Sequence, residues 1–406
     1  MRKVEISIIY PIDPFGLKVG GAGTFIRGFI KYAPEDFDVD FIGITSNYKD
    51  RPPKKWMKLK FGNKEFVFFP LLFEKNENMY KIVPLSFRFT LALKNSQVVF
   101  FNKVLFLNRI EPAILFRKVK FPKIVVVHND IQKWLEKGKS EVLWSRFPWL
   151  YYMFEKFIFS FLDYIYTVSK NSLKFYKSKY PCQREKFEFL PTWVDMDLFH
   201  PIEEPKVSIK NRLSSLNKSL PVENKWILFA GRLQEQKAPK RLIDTFLECY
   251  KIDEKVSFII IGEGNLRKEV EKYVKKIGLE NNISFLGAIK QEKLADFYRA
   301  SDVFLLTSNF EGMPISVLEA LGCGLPVVTT NVGEVNRIVR NKFSGEVVDS
   351  FSPKVICQFV KKVLNNPKIY SIGNCVDAIS QYTPHMVLKP VYKNIRNLFK
   401  ESCGLK

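Results

Sequence analysis

From Trp226 onward the chain alternates short β-rich runs with amphipathic stretches, and this alternation restricts the fold more than any other feature of its 406 residues. WILFAG is followed by PKRLIDTFLECY, VSFIIIG by NLRKEVEKYVKKIG, ISFLG by QEKLADFYRA, and DVFLLT by PISVLEALG, with PVVTT and GEVVD continuing the series. Such βαβ alternation predicts a parallel sheet covered by helices on both faces. The first 200 residues repeat the theme less regularly, with strands expected at Val4–Tyr10, Val39–Ile44, Val98–Phe101, Lys123–His128 and Tyr164–Val168. Between the two halves, residues 201–224 carry Pro201, Pro205 and Pro221 among serines, asparagines and charges, which is linker composition. The expected architecture is α/β: one doubly wound domain over 1–200, a linker over 201–224 and a second domain over 225–383. The ligand-binding C-terminal strand ends would then face a shared cleft.

Composition narrows the class. A hydrophobic fraction of 46% with 26% charged residues belongs to a folded chain with a sizeable core. Six cysteines (Cys182, Cys249, Cys323, Cys357, Cys375, Cys403) show no CxxC pair and no metal-ligand spacing, so they read as free thiols in a reducing compartment. The N-terminus runs into VEISIIY without a leader pattern, and the most apolar stretch, Leu150–Val168, is broken by Glu155, Lys156 and Asp163. A cytoplasmic protein, soluble or peripheral on the inner face of a membrane, is expected. Net charge is +22, and residues 51–139 hold 19 Lys/Arg against 6 Asp/Glu. The run KKWMKLKF (Lys54–Phe61) suits an anionic lipid surface and equally a solvated lysine-rich face. No nucleic-acid module accompanies the charge. The aromatic run from Trp149 to Val168 is expected as a buried helix feeding a buried strand.

Three constellations carry chemistry. In EGMPISVLEALGCGLPVV, Glu311 lies on the loop after a strand, and a helix opens at about Pro314. Backbone N–H groups of Gly312, Met313, Pro314's neighbours and Ile315 are placed to hold hydroxyls or a phosphate, and Glu319 is placed to accept from a ribose diol. Leu318 belongs to the same candidate donor-binding face. Either glutamate alone also reads as a cap or an exposed helical acid. At the end of WILFAG, Gly231 is followed by Arg232 and then Lys237, two cations able to stabilise a departing diphosphate without a metal. Gly262 and Glu263 of the GEGN turn leave the next strand, where the glycines serve either ligand approach or turn geometry. In the first half, Gly20, Gly21 and Gly23 precede a helix and allow backbone to approach a phosphate, yet Ile26 stands where a dinucleotide motif needs glycine or alanine. His128 ends the strand KIVVVH as a candidate catalytic group, and Asp130 is a candidate for an acceptor hydroxyl.

These pieces together resemble the group 1 retaining glycosyltransferases of the GT-B fold, with two facing Rossmann-like domains. The resemblance is strongest from Trp226 to Val348 and weaker over GGAGTF, VVVHND, YIYTVSKNS and LPTWVDMDLFHP. It implies that Arg232 and Lys237 contact the donor diphosphate, Glu311 the transferred sugar, Glu319 the ribose, the Gly20–Gly23 loop the phosphates and His128 the sugar's outer hydroxyls. It further implies transfer with retention, no cofactor and no metal, and a C-terminal helix within 384–406 that crosses back to the first domain. Three positions depart from the family pattern: Thr192-Trp193 precede Val194-Asp195 where Asn-Gly is usual, Ala238 follows the lysine in place of glycine, and Gly322 replaces a common alanine.

The expected activity is transfer of a hexosyl unit from a UDP- or GDP-type sugar nucleotide to a glycan or lipid-linked acceptor, in cell-surface polysaccharide or glycolipid synthesis. The basic stretch 51–139 makes an anionic membrane surface a candidate partner. Two other classes remain: a sugar-nucleotide epimerase or phosphorylase on the same architecture, and a non-enzymatic basic binding protein in which Arg232, Lys237, Glu311 and Glu319 are dispensable.

Overall fold

The structure, a computed structural model, describes residues 3–11, 21–44, 52–71, 85–96, 103–107, 110–127, 148–216 and 220–404. It divides into two compact units, Met1–Pro191 with Pro384–Lys406, and Thr192–Thr383.

The first unit is built on β1 (Val4–Ile9), β2 (Phe37–Ile44), β3 (Met57–Phe61), β4 (Lys64–Leu71), β5 (Val104–Leu107), β6 (Lys123–Val127), β7 (Tyr164–Thr167) and β8 (Phe187–Phe189). Their order is β3-β4-β2-β1-β5-β6-β7-β8, parallel throughout except for β3 against β4. The expected strand at Val98–Phe101 lies outside the described residues, and Val104–Leu107 forms β5. KKWMKLKF supplies the edge strand β3, with Lys58 and Lys60 exposed. Lysines on an edge strand discourage pairing with another chain, which gives this run a structural role.

The C-terminal helix Pro384–Ser402 belongs to this unit. The Tyr392 ring lies 5.0 Å from that of Phe29 and 5.3 Å from that of Phe37, and its hydroxyl donates to Phe29 O at 2.6 Å. Arg396 makes a two-pronged contact with Asp36, both bonds at 2.8 Å. The aromatic run departs from its expected full burial. On the helix Pro148–Ser160, Ile158 and Phe159 are buried, while Trp149, Leu150, Met153 and Phe157 are exposed.

The second unit is built on β9 (Lys225–Ala230), β10 (Val256–Ile261), β11 (Ile283–Gly287), β12 (Val303–Leu306), β13 (Val327–Thr330) and β14 (Gly345–Val348). They form an all-parallel sheet ordered β11-β10-β9-β12-β13-β14. Every residue of β10 and β12 is buried, which is why these runs read as continuously apolar.

The expected linker at 201–224 is different in the structure. It holds a helix, Lys206–Leu216, whose Ile209 and Leu213 are buried in the core of the second unit. Lys210 Nζ reaches Asp302 at 2.9 Å and Asn224 O at 2.8 Å, and Trp226 Nε1 donates to Pro221 O at 2.9 Å. Prolines and polar residues here mark the ends of a packed helix, and the apolar residues between them fasten it.

Candidate active site

In the second sheet the connections from β9 run one way, to β10 and β11, while β12, β13 and β14 lie on the other side of β9. β9 and β12 are paired neighbours, so the loops that leave their C-terminal ends diverge at the topological switch point, where open α/β sheets bind ligands. Gly231, Arg232 and Lys237 sit on the first of these loops, Glu311, Gly312, Met313 and Pro314 on the second.

Hydrogen bonds to main-chain carbonyls staple the two loops together. Asn309 N donates to Gln236 O at 2.8 Å, Asn309 Nδ2 to Glu235 O at 3.0 Å, and Gln236 Nε2 to Phe310 O at 3.2 Å. From the helix Pro239–Tyr250, Arg241 adds bonds to Thr307 O at 2.8 Å and to Asn309 Oδ1 at 2.9 Å. On this frame, Glu311 Oε1 accepts from Lys237 Nζ at 2.7 Å and from Ser308 Oγ at 2.6 Å. Its Oε2 accepts from Gln236 Nε2 at 3.3 Å. Glu311 is 6% exposed, so this ion pair is largely withdrawn from water and strongly oriented.

A third loop locks the position. After β13, Gly333 adopts φ +58°, and a Cβ there would stand 2.2 Å from Gly312 O and 2.6 Å from Glu311 O. Only glycine permits that approach. Glu334 N donates to Gly312 O at 2.9 Å, which fixes the peptide after Glu311.

Arg232 is exposed, and its side chain makes no ion pair or hydrogen bond among the described residues, while its carbonyl accepts from Gln234 N at 2.9 Å. Its loop is held from the other side by the GEGN turn. A Cβ on Gly262, at φ +131°, would lie 1.9 Å from Gly231 O, and one on Gly264 would lie 2.1 Å from Leu233 O. These glycines therefore serve backbone packing that places Arg232. Glu263 forms an ion pair with Arg267, and its carbonyl accepts from Leu233 N.

The helix begins at Ile315, one residue after Pro314, and has no side-chain cap; Val317 N donates to Pro314 O at 3.2 Å, and the N–H groups of Ile315 and Ser316 are left open among the described residues. Leu318 is fully buried, which makes its side chain part of the core. Met313 is also buried; its Sδ accepts from Thr192 N, and its carbonyl accepts from Thr192 Oγ1, both at 3.3 Å. Glu319 is not an exposed helical acid. It is 7% exposed, and its Oε2 accepts from Tyr298 OH at 2.9 Å. Burial pushes its carboxyl up to about 7, against the Tyr298 hydrogen bond, which holds it down.

The departures at 192–193 and 322 are connected. A Cβ on Gly322 would lie 2.7 Å from Phe199 O and 3.4 Å from Val194 Cγ2, so glycine lets the segment after the buried Trp193 approach the helix. Ala238 sits at φ 47°, ψ 58°, the left-handed region that favours glycine.

Gly21 and Gly23 open the helix Gly21–Lys31 in the first unit. Gly20, His128 and Asp130 lie outside the described residues. Sequence reasoning missed Gln236, Ser308 and Tyr298. Ser308 carries a faint signal, a hydroxyl three residues before Glu311, whereas Tyr298 reaches Glu319 from another helix and has none.

Residues 214–374 match the family described as "Glycosyl transferases group 1", and residues 19–198 match "Glycosyltransferase Family 4". Over residues 19–198 and 214–374 the chain thus belongs to these two glycosyltransferase families. An uncharacterized glycosyltransferase of Methanocaldococcus jannaschii is 24% identical over 381 residues, 92% of each chain. The D-inositol 3-phosphate glycosyltransferase of Xylanimonas cellulosilytica is 29% identical over 178 residues, 43% of this chain and 42% of that protein. An Escherichia coli UDP-Gal:alpha-D-GlcNAc-diphosphoundecaprenol alpha-1,3-galactosyltransferase is 29% identical over 216 residues, 52% of this chain and 49% of that one. The last two alignments thus span under half of each relative's length.

Among solved structures, sucrose-phosphate synthase from Thermosynechococcus elongatus matches with a TM-score of 0.77 at 17% identity, covering 99% of this chain and 100% of that one. Anabaena HepE in complex with UDP and glucose matches at 0.72 and 16% identity, covering 97% and 99%. At these identities the likeness establishes the fold: α/β, two Rossmann-like domains, the GT-B class.

Proposed function

We propose that this glycosyltransferase moves a hexosyl unit, with retention, from a UDP- or GDP-type sugar nucleotide to a glycan or lipid-linked acceptor in cell-surface polysaccharide or glycolipid synthesis. The observation that carries the reading is the convergence of Lys237, Ser308 and Gln236 on Glu311 at the switch point, beside an Arg232 that has no counter-charge among the described residues. A lysine ammonium has three donors and Glu311 engages one, so Lys237 retains capacity for a phosphate oxygen. As the anomeric carbon–oxygen bond breaks, negative charge grows on the departing diphosphate. Arg232 and Lys237 supply fixed positive charge there, the task a metal performs in other transferases. Among the described residues no cluster of three or more His, Cys, Asp or Glu is placed to hold a metal ion. Glu311 orients the transferred sugar through its hydroxyls, Glu319 takes the ribose diol, and the open N–H groups at Ile315 face the donor.

Support for the nucleotide class comes from neighbours such as HepE, solved with UDP and glucose, and for a lipid-linked acceptor from the diphosphoundecaprenol relative. We place the enzyme in the cytoplasm, in keeping with six cysteines that are all free. The test is calorimetry with UDP, GDP and ADP, followed by transfer assays with labelled sugar nucleotides. The expected outcome is tight binding of one nucleotide and a loss of about 10²- to 10³-fold in transfer for Lys237→Ala and Glu311→Ala with the fold intact. Binding of none of the three, or full transfer by both variants, rejects the proposal.

A further inference from the structure

The helix Pro148–Ser160 carries a solvent face unlike that of an ordinary surface helix. Its inward side packs normally: the Phe159 ring lies 5.8 Å from Tyr176, 5.2 Å from Tyr180 and 5.3 Å from Phe187. Glu155 also points inward and accepts from the hydroxyls of Tyr176 and Tyr180. Outward stand Trp149, Leu150, Met153, Lys156, Phe157 and Ser160. Trp149 is 59% exposed, Met153 63% and Phe157 48%. At spacings of four and eight residues these three form one stripe, where an amphipathic helix of a water-soluble domain would carry charges. Single exposed apolar residues are ordinary, but a contiguous stripe marks an interaction surface.

We infer that this helix docks on a membrane, lying in the interface of a bilayer that contains anionic lipid. The charge around the stripe selects that occupant. Lys156 is the one charged residue on the helix's exposed face. Arg117 and Lys118, both exposed, follow the short helix Glu111–Phe116 that packs against it. On its other flank lies the helix Lys170–Lys179, joined through Tyr152 and Phe175, which carries Lys170, Lys174, Lys177 and Lys179 and no acid. Arg117, Lys118 and Lys156 have no ion pair among the described residues. A second copy of the same face would set these cations against one another, whereas anionic headgroups neutralise them while the stripe enters the acyl boundary.

At 13 residues the helix is about 20 Å long, short of the ~30 Å hydrocarbon layer, so it lies flat. None of the described helices is long and apolar enough to cross a membrane. The stripe is also remote from KKWMKLKF within the first sheet, since Phe159 packs on β8 and that run forms β3 at the opposite edge. The docking surface goes beyond the donor site, which lies on the second unit, and each fails or stands independently.

The experiment is flotation of the full chain with phosphatidylcholine vesicles, with and without phosphatidylglycerol, at low salt. The wild type is expected to float with the phosphatidylglycerol vesicles. The triple variant W149S/M153S/F157S should bind about tenfold less or weaker still. The pair R117A/K118A, on a different segment, should weaken binding to anionic vesicles and reduce its salt dependence. Thermal melting and nucleotide calorimetry, expected unchanged, show that the variants are folded. Undiminished flotation of the triple variant, absence of wild-type binding, or a wild-type dimer that the triple variant converts to monomer would overturn the inference.

Discussion

Replacing Glu319 by glutamine separates what this side chain costs the fold from what it does for a ligand. The carboxyl is almost out of water and faces the Tyr298 hydroxyl at 2.9 Å, a bond that the amide oxygen of glutamine also accepts. Burial raises the carboxyl from 4.5 to about 7. The folded protein therefore holds this proton to higher pH than the unfolded chain does. Its contribution favours folding below 4.5 and is lost as pH rises through the window from 4.5 to about 7. At about 1.4 kcal/mol per pH unit, the charged form costs the fold on the order of 3 kcal/mol above pH 7. Glu319→Gln removes that cost, so at pH 8 the variant should melt roughly 6–12 °C higher than wild type, and the two curves should converge toward pH 5. In calorimetry the variant should bind the nucleotide about ten- to a hundredfold more weakly, because a hydrogen bond from a ribose hydroxyl to a carboxylate outweighs one to a neutral amide. Parallel pH dependence of melting in both proteins would refute the account of burial. Unchanged affinity would refute the ribose contact.

Two backbone positions give further tests. Ala238 occupies the left-handed region at about 1–2 kcal/mol, while glycine adds about 0.4–1 kcal/mol of unfolded-chain entropy, so Ala238→Gly should raise stability by about 0.5–1 kcal/mol in urea titration. A drop in the midpoint would show that the strain is absent. Gly322→Ala restores the residue common in the family, and helix propensity alone gains about 1 kcal/mol. The new Cβ would meet Phe199 O at 2.7 Å, an overpacking cost of about 1–3 kcal/mol, so the variant should be less stable by about 1 kcal/mol. A stabilised variant would show that the 194–199 segment yields freely.

The second unit was the more legible half because parallel strands buried on both faces write themselves as apolar runs. VSFIII and VFLL needed no partner to be read as strands, and glycine and proline marked where each loop began. The first unit was harder. Its strand Val104–Leu107 lies beside another apolar run, and local pattern does not choose between them. Residues 201–224 misled for a related reason, since proline and serine signal chain direction changes whether or not Ile209 and Leu213 find a core between them.

The sequence by itself determined the chemistry available. Arg232, Lys237, Glu311 and Glu319 stand beside strand ends because loop, glycine and helix start follow one another along the chain. Tertiary structure alone decided what those groups face. Lys237 meets Glu311 because β9 and β12, paired at Ile227 and Val303, positions 76 apart in the chain, become neighbours only in the sheet. Tyr298 meets Glu319, and Phe199 fills the space that Gly322 leaves, through contacts between elements that no local pattern links. The same limit applies to the stripe of Trp149, Met153 and Phe157. Its composition reads as a core helix, and only the packing of Phe159 on Phe187 shows which side was left outside.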